Sequence, residues 1–380
     1  MKSASERRTA RDTGHIVNEA HMTFRSHHHA FRRGLVGVLA VGCLGLGLSA
    51  AQADDLTLRE TGSTLLYPLF QRWIPDYAAS HPGVTIAPGA TGSGAGIMQA
   101  IAGQVQIGAS DAYMSDQQAA RNPEILNIPL AISAQTVNYN LPNLNGAGLK
   151  LDGPTLAGIY SGAIRIWDAP QIAALNPGVQ LPHQTIIPVR REDASGDTFV
   201  FTQFLDFATQ SWEDKVGYGT SITWPSVPGE QTATGNDGMV KAVAASPYTV
   251  AYIGISFHGD IAKAGLGTAM VKNQAGKFLL PTAETVSAAA SELDPRTPPD
   301  ERLSLAFAPG DSSYPLINYE YVMVSAHQKD PLIAAAVRHF LLWSIAVEGG
   351  NAQKYLDEVQ FIPLPNFIRA LSENQINRIQ

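Results

Sequence analysis

The sequence predicts an α/β fold of two lobes, each an open sheet flanked by helices. Short apolar runs of strand length alternate with segments of helical periodicity along the chain. Small-polar, glycine-containing loops recur where those strands end, at Thr61-Gly62-Ser63-Thr64, Thr91-Gly92-Ser93-Gly94 and Gly108-Ala109-Ser110-Asp111. The length of 380 residues also suits two domains better than one.

The first segment is not part of that fold. Arg32-Arg33 precedes a weakly apolar stretch, Gly34 to Ala50, and then Ala51-Gln52-Ala53. A charged start, an apolar middle and a small-x-small end make a secretory signal, with cleavage expected after Ala53. The stretch is short for a membrane span. Cys43 loosely fits a lipid-attachment site but lacks the usual preceding leucine, so soluble export is the preferred reading. Met22 is an alternative start, and His27-His28-His29 falls in the discarded part.

Leu56 to Leu58 reads as the first strand. Leu66, Leu69, Phe70, Trp73 and Tyr77 then recur at helical spacing; Pro68 suits the first turn, and Pro75 is expected to kink or shorten the helix. Val84 to Ile86 is a second strand, Ala95 to Ala102 a helix, and Val105 to Ile107 a third strand with Asp111 just beyond its end. Ala131 to Asn140 reads as a long buried strand. Leu156 to Tyr160 and Ile172 to Leu175 read as short helices of a second unit, which includes a turn at Gly235-Asn236-Asp237-Gly238 and Val240 to Ala245. Lys263 to Pro315 is polar and broken by Pro295, Pro298 and Pro299. Ile317 to Ser325 is a buried strand, Pro331 to Ala346 an amphipathic helix, and a last helix follows Pro363-Leu364-Pro365. The lobes implied are 54–135 with 314–380, and 136–313.

Ile186 to Val189 delivers the most chemical stretch, VRREDASGDTFVFTQFL. A strand–loop–helix turn aims backbone N–H groups and the positive end of a helix at one point, where Arg191 can add a planar fork. Ser195 or Asp197 could equally be only the N-cap of that helix. Recurrence of such loops at strand ends favours one shared oxyanion site, because ligands of open α/β sheets bind there. Thr64, Ser93 and Ser195 offer hydroxyls, Leu65, Gly94 and Gly196 amides, and Arg191 two charge-assisted bonds. Asp111 would then accept a hydrogen bond from an anion that carries a proton, favouring protonated phosphate over sulfate by as much as roughly 10⁴–10⁵. Its alternative role is a helix cap over Met114-Ser115-Asp116.

Charge excludes one class of partner. Residues 1–53 hold seven of the 26 basic residues and three of the 33 acids, which leaves 19 and 30, a net charge of −11. Nucleic acid needs a basic footprint, so the anion site must work through local dipoles. No cysteine remains beyond Cys43, which removes disulfides and thiolate metal sites.

The blocks TGSTLLYPLFQRW, ATGSGAGIMQAI, VQIGASDAYMSD, IYSGAIRIWD, LNPGVQLP, VRREDASGDTFVFTQFL, TGNDG and FIPLPNFI, in this order, resemble the periplasmic phosphate-binding proteins of phosphate-specific ABC transport systems over residues 56–366. The resemblance implies a two-lobed solute-binding fold closing on one phosphate, a membrane permease as partner, a periplasmic monomer, and no cofactor, metal or catalysis. It implies a ligand set of Thr64, the Leu65 main chain, Ser93, Asp111, Arg191, Ser195, Gly196 and Asp197, with Asp193 pairing Arg191. The family often has threonine where this chain has Asp197; the expectation is that the Asp197 amide donates, its carboxylate turns away to cap the helix, and Thr198 supplies the hydroxyl. A secreted phosphatase-like enzyme or a sulfate binder is the competing reading. Against the enzyme, Ser195 lacks a G-x-S-x-G elbow and the histidines beyond residue 53 show no ligand spacing.

Overall fold

The computed structural model describes residues 56–380. The leader, its cleavage point and Cys43 lie outside the described residues. Three parallel strands begin the sheet: β1 (Leu56–Gly62), β2 (Val84–Ala87) and β3 (Ile107–Ser110). Between them run α1 (Tyr67–Ser80) and α2 (Ser93–Ile101). β3 therefore starts where the expected strand ended, and α2 starts at Ser93 itself, not two residues later.

Helix α1 continues past Pro75 to Ser80. Pro75 and Gln71, whose carbonyl loses its partner, both lie on the exposed side. The freed carbonyl is on the solvent side, where losing an internal partner costs little, and the helix is not shortened. The opposite face buries Leu69, Phe70, Trp73 and Tyr77. Each buried aromatic of this kind contributes about 1.5–3 kcal/mol.

After α3 (Asp116–Arg121) comes β4 (Ile125–Asn140), 16 residues long and buried almost throughout. A strand covered on both faces needs no alternation, and its polar residues are bonded internally: Asn127 Oδ1 accepts from Met114 N at 2.9 Å. Then follow β5 (Lys150–Leu151), α4 (Gly153–Tyr160), α5 (Pro170–Leu175), β6 (Ile187–Arg191), α6 (Gly196–Ala208), α7 (Gln210–Glu213), β7 (Gln231–Ala233), α8 (Gly235–Ala245) and β8 (Thr249–Gly254). The expected turn at 235–238 is the first turn of α8.

Next comes α9 (His258–Lys263), and the stretch expected to be broken contains β9 (Gly267–Thr268), β10 (Met270–Lys272), β11 (Phe278–Leu279) and α10 (Ala283–Leu293). α10 has a Thr282 capping box and buries Val286, Ala289, Ala290 and Leu293; that spacing was readable as a helix. The chain closes with β12 (Ile317–Ser325), α11 (Pro331–Ile345), α12 (Gln353–Val359) and α13 (Asn366–Ile376). Phe340 on α11 packs on Phe70 and edge-on against Trp73 and Tyr77.

The main sheet has the order β2-β1-β3-β12-β4-β8-β6-β7. The sheets of the two sides run into one another along β4. Its first part pairs antiparallel with β12, ending at Ala134↔Ile317, and its second part pairs with β8, starting at Gln135↔Gly254. β6 lies parallel to β7 and β8. The carboxyl ends of β1, β3 and β6 consequently face one region.

Candidate functional site

Four loops meet there, and each is placed by the element before or after it. The turn after β1 presents Ser63 and Thr64; α2 begins with Ser93; β3 ends beside Asp111; β6 ends at Arg191. The two sides touch directly, since Gly94 N donates to Ala194 O at 2.9 Å. A Cβ on Gly196 would lie 2.4 Å from Asp111 Oδ2 and 2.6 Å from Ser93 Oγ. Only glycine allows that approach.

Ser195 is the N-cap of α6, its Oγ accepting from Thr198 N at 3.3 Å. The first amides of α6, Gly196 and Asp197 included, have no intrahelical partner, as at any helix start. Asp111 is not a cap: Ser115 caps α3 through a full capping box. Asp111 is instead buried and accepts from Ser63 Oγ and, at 3.2 Å, from Ser93 Oγ.

Arg191 is 3 % exposed. Nε donates to Asp193 Oδ1 at 2.7 Å and Nη2 to Asp193 Oδ2; the sequence implied this pairing, and the structure makes it bidentate. Nη1 reaches Asp197 Oδ2 at 2.7 Å and Thr64 Oγ1 at 3.4 Å. Asp197 is thus the main departure from expectation. Its carboxylate does not turn away to cap α6, because Ser195 already fills that role. It turns inward, also accepting from Asn236 Nδ2 at 2.8 Å and from Gln135 Nε2 at 3.2 Å. Nor does Thr198 reach for the same point: its hydroxyl bonds the Tyr252 hydroxyl at 2.8 Å.

Burial dominates the electrostatics. It pushes the Asp111 carboxyl up against the lowering effect of Ser63, Ser93 and Arg191. Burial, reinforced by the charge of Asp111, pushes Asp197 up to about 7. Burial also raises Asp193, but the hydrogen bonds and charge of Arg191 win and hold it below the usual carboxylate range. For Arg191 itself burial opposes the charge, and Asp193 and Asp197 more than offset it. The site therefore carries no net positive charge, and recognition must come from directed donors.

Thr64, Ser93, Asp111, Arg191, Ser195, Gly196 and Asp197 share this one place, with Asp193 behind Arg191, and Leu65 in the turn follows Thr64. Asn236, Ser63, Gln135 and Glu320 also belong to the cluster and were not singled out from sequence. Asn236 Nδ2 donates to Thr64 Oγ1 at 2.9 Å, and its Oδ1 accepts from Gly254 N at 2.8 Å, so it ties β1, α8 and β8 together. Gln135 and Glu320 were detectable in principle as polar residues inside strands whose flanks are apolar. Among the described residues no group of acidic and imidazole side chains is arranged to hold a metal. The nearest sizeable cavity, about 520 Å³, lies at the mouth of the site and is lined in part by Thr64, Asp193 and Asn236.

A family model described as PBP superfamily domain matches residues 48–348. The phosphate-binding protein PstS of Methanocaldococcus jannaschii is 31 % identical over 369 residues, covering 91 % of this chain and 93 % of that protein. Among solved structures, a phosphate binding protein from Stenotrophomonas maltophilia superposes with a TM-score of 0.64 at 21 % identity, covering 84 % of this chain and 93 % of the other. An ABC-type phosphate transport receptor from Vibrio cholerae gives 0.51 at 18 % identity, with 81 % and 100 % covered. Matching in sequence over nearly its whole length and in fold over more than four fifths of it, the chain belongs to the PBP superfamily, in the family of the phosphate-binding proteins PstS.

Proposed function

We propose that this chain is a non-catalytic extracytoplasmic receptor that binds inorganic phosphate and delivers it to a membrane ABC permease for import. The observation that carries this reading is the pairing of convergent donors with a buried acceptor. Arg191, Thr64, Ser93, Ser195 and the amides of Leu65, Gly196 and Asp197 supply donors to an oxyanion. Asp111 accepts, which requires a proton on the ligand. Phosphate has one near neutral pH and sulfate does not, so the same geometry selects between them. The donors that now bridge the two sides, Arg191 Nη1 and Asn236 Nδ2, are those the anion would take over.

The two lobes in this proposal are 54–135 with 314–380, and 136–313. The change of partner along β4, from β12 to β8 between Ala134 and Gln135, supports that boundary. Ligand exchange is then opening of the lobes about β4 and the segment before β12. Export to the periplasm follows from the leader, with cleavage after Ala53. Ser195 supports a receptor over a hydrolase, because its Oγ caps α6 and a nucleophile needs a base at that position.

The test is thermal unfolding with phosphate or with sulfate, alongside release of phosphate from a monoester. A ligand at about 1,000 times its Kd stabilises the fold by roughly 4 kcal/mol. Stabilisation by phosphate alone, without ester hydrolysis, is the expected result. Hydrolysis, or equal stabilisation by sulfate, would overturn the reading.

A further inference from the structure

Glu320 occupies the middle of β12, opposite Ala131 of β4, and is 0 % exposed. An apolar side chain would be the ordinary choice at that point in the sheet. Its Oε1 accepts from Ser133 Oγ at 2.5 Å and from Asn318 Nδ2 at 3.1 Å. Its Oε2 receives no donor, although it is fully buried. The pairing of β12 with β3 sets this side chain beside Asp111, and Asn318 Nδ2 bonds to both residues; the two carboxyl groups act on each other's ionisation.

Two buried carboxyl groups set side by side do not both ionise; they share a proton. The surroundings decide where it sits. Asp111 receives the Ser63 and Ser93 hydroxyls and faces the charge of Arg191. Glu320 faces no cation, and its Oε2 is satisfied only if it bears hydrogen. The negative charge therefore belongs on Asp111 and the proton on Glu320.

We propose that Glu320 is a positioning residue for anion selectivity: its carboxylic O–H donates to Asp111 and keeps Asp111 an acceptor-only carboxylate toward the bound anion. This rests on the phosphate-receptor reading and deepens it. An ionised carboxylate offers about four acceptor positions. Ser63 and Glu320 occupy two on Asp111; when the Ser93 hydroxyl turns from Asp111 to the bound anion, the position it leaves receives the proton of the ligand. Asn318 locks the arrangement, since its Nδ2 donates to both the Asp111 carbonyl and Glu320 Oε1 at 3.1 Å. Ser133 Oγ of β4 lies 3.0 Å from Asn318 Oδ1, an alternative acceptor for the same hydroxyl hydrogen.

The charged groups acting on Glu320 are few. Asp111 faces it from the end of β3, and Arg191 and Asp197 act through Asp111. Ser133 and Asn318 are uncharged. The strand neighbours Tyr319 and Tyr321 donate elsewhere, to Asp294 and to the Glu301 carbonyl. Burial, with the charge of Asp111 added, holds Glu320 well above the carboxylate range. Without the Glu320 proton, Asp111 would itself be driven to protonate by burial. It would then donate, and sulfate, which offers only acceptors, would fit.

The test uses E320Q and E320L, checked for folding by circular dichroism, titrated with inorganic phosphate and with sulfate. E320Q keeps an N–H toward Asp111 and should hold phosphate affinity and the phosphate preference within about threefold. E320L should lower the phosphate-to-sulfate ratio by at least about tenfold. A second readout does not depend on binding. The infrared difference spectrum of wild type minus E320Q at pH 8.5 should contain a protonated-carboxyl band. Absence of that band, or an unchanged ratio in folded E320L, overturns the proposal. Should wild type itself bind no phosphate, the receptor reading fails, while the infrared band still decides where the proton resides.

Discussion

Asp197→Asn is the most informative substitution, because it removes a charge and leaves the shape. In the structure the Asp197 carboxylate holds Arg191 Nη1 and Asn236 Nδ2, donors the bound anion requires. An ionised Asp197 beside an anion is repulsive unless a proton lies between them, so binding takes up a proton whenever Asp197 is ionised beforehand. Burial and the Asp111 charge put that ionisation at about 7. At pH 6 the group is already protonated and the substitution changes little. At pH 8, one unit above its midpoint, proton uptake weakens the wild type by about tenfold, or about 1.4 kcal/mol. The ratio of wild-type to D197N Kd should therefore rise about tenfold between pH 6 and pH 8. Taking the ratio cancels the ionisation of phosphate itself. The assay is calorimetric titration at both pH values in two buffers of different ionisation heat, which also reads the proton uptake directly. A ratio that does not change with pH would refute the reasoning.

Asp111→Asn removes a buried charge-assisted acceptor; phosphate affinity should fall by about 1.5–3 kcal/mol while sulfate binding improves, both read by titration. Equal losses for the two anions would count against Asp111 as proton acceptor. Arg191→Ala leaves Asp193 and Asp197 unpaired in a buried site and should cost about 3–5 kcal/mol, seen as loss of phosphate binding with a lower unfolding midpoint. Glu60, 2 % exposed with Oε1 lacking a donor, is pushed by burial up to about 8. A raised folded value means stability fully present below the ordinary glutamate range and lost as pH rises through about 8. Denaturant unfolding of the wild type should weaken over that window by up to about 1.4 kcal/mol per pH unit for this group, and E60Q should remove that share of the slope. Identical slopes would contradict the assignment.

The strands and their loops were legible because their signals are local. Ile317–Ser325 and Pro331–Ile345 follow apolar patterns that tertiary context does not override. The four glycine-containing loops could be assigned to one site, since open α/β sheets place strand ends together. The direction of a side chain was less legible. Whether Asp197 faces outward or inward depends on Arg191, Asn236 and Gln135, which lie 6, 39 and 62 residues away. Glu320 and Asp111 are far apart in sequence and meet only through the pairing of β12 with β3. Pro75 misled for a related reason: its cost depends on whether the freed carbonyl meets water, which exposure decides and sequence does not show.

The central claim is that donors and one carboxylate acceptor recognise phosphate by its proton. Calorimetric titration of residues 54–380, refolded from denaturant to remove carried ligand, tests it with phosphate and sulfate side by side at pH 7. The account predicts one phosphate bound per chain and no heat from sulfate. Comparable binding of sulfate, or binding of neither anion, would contradict it.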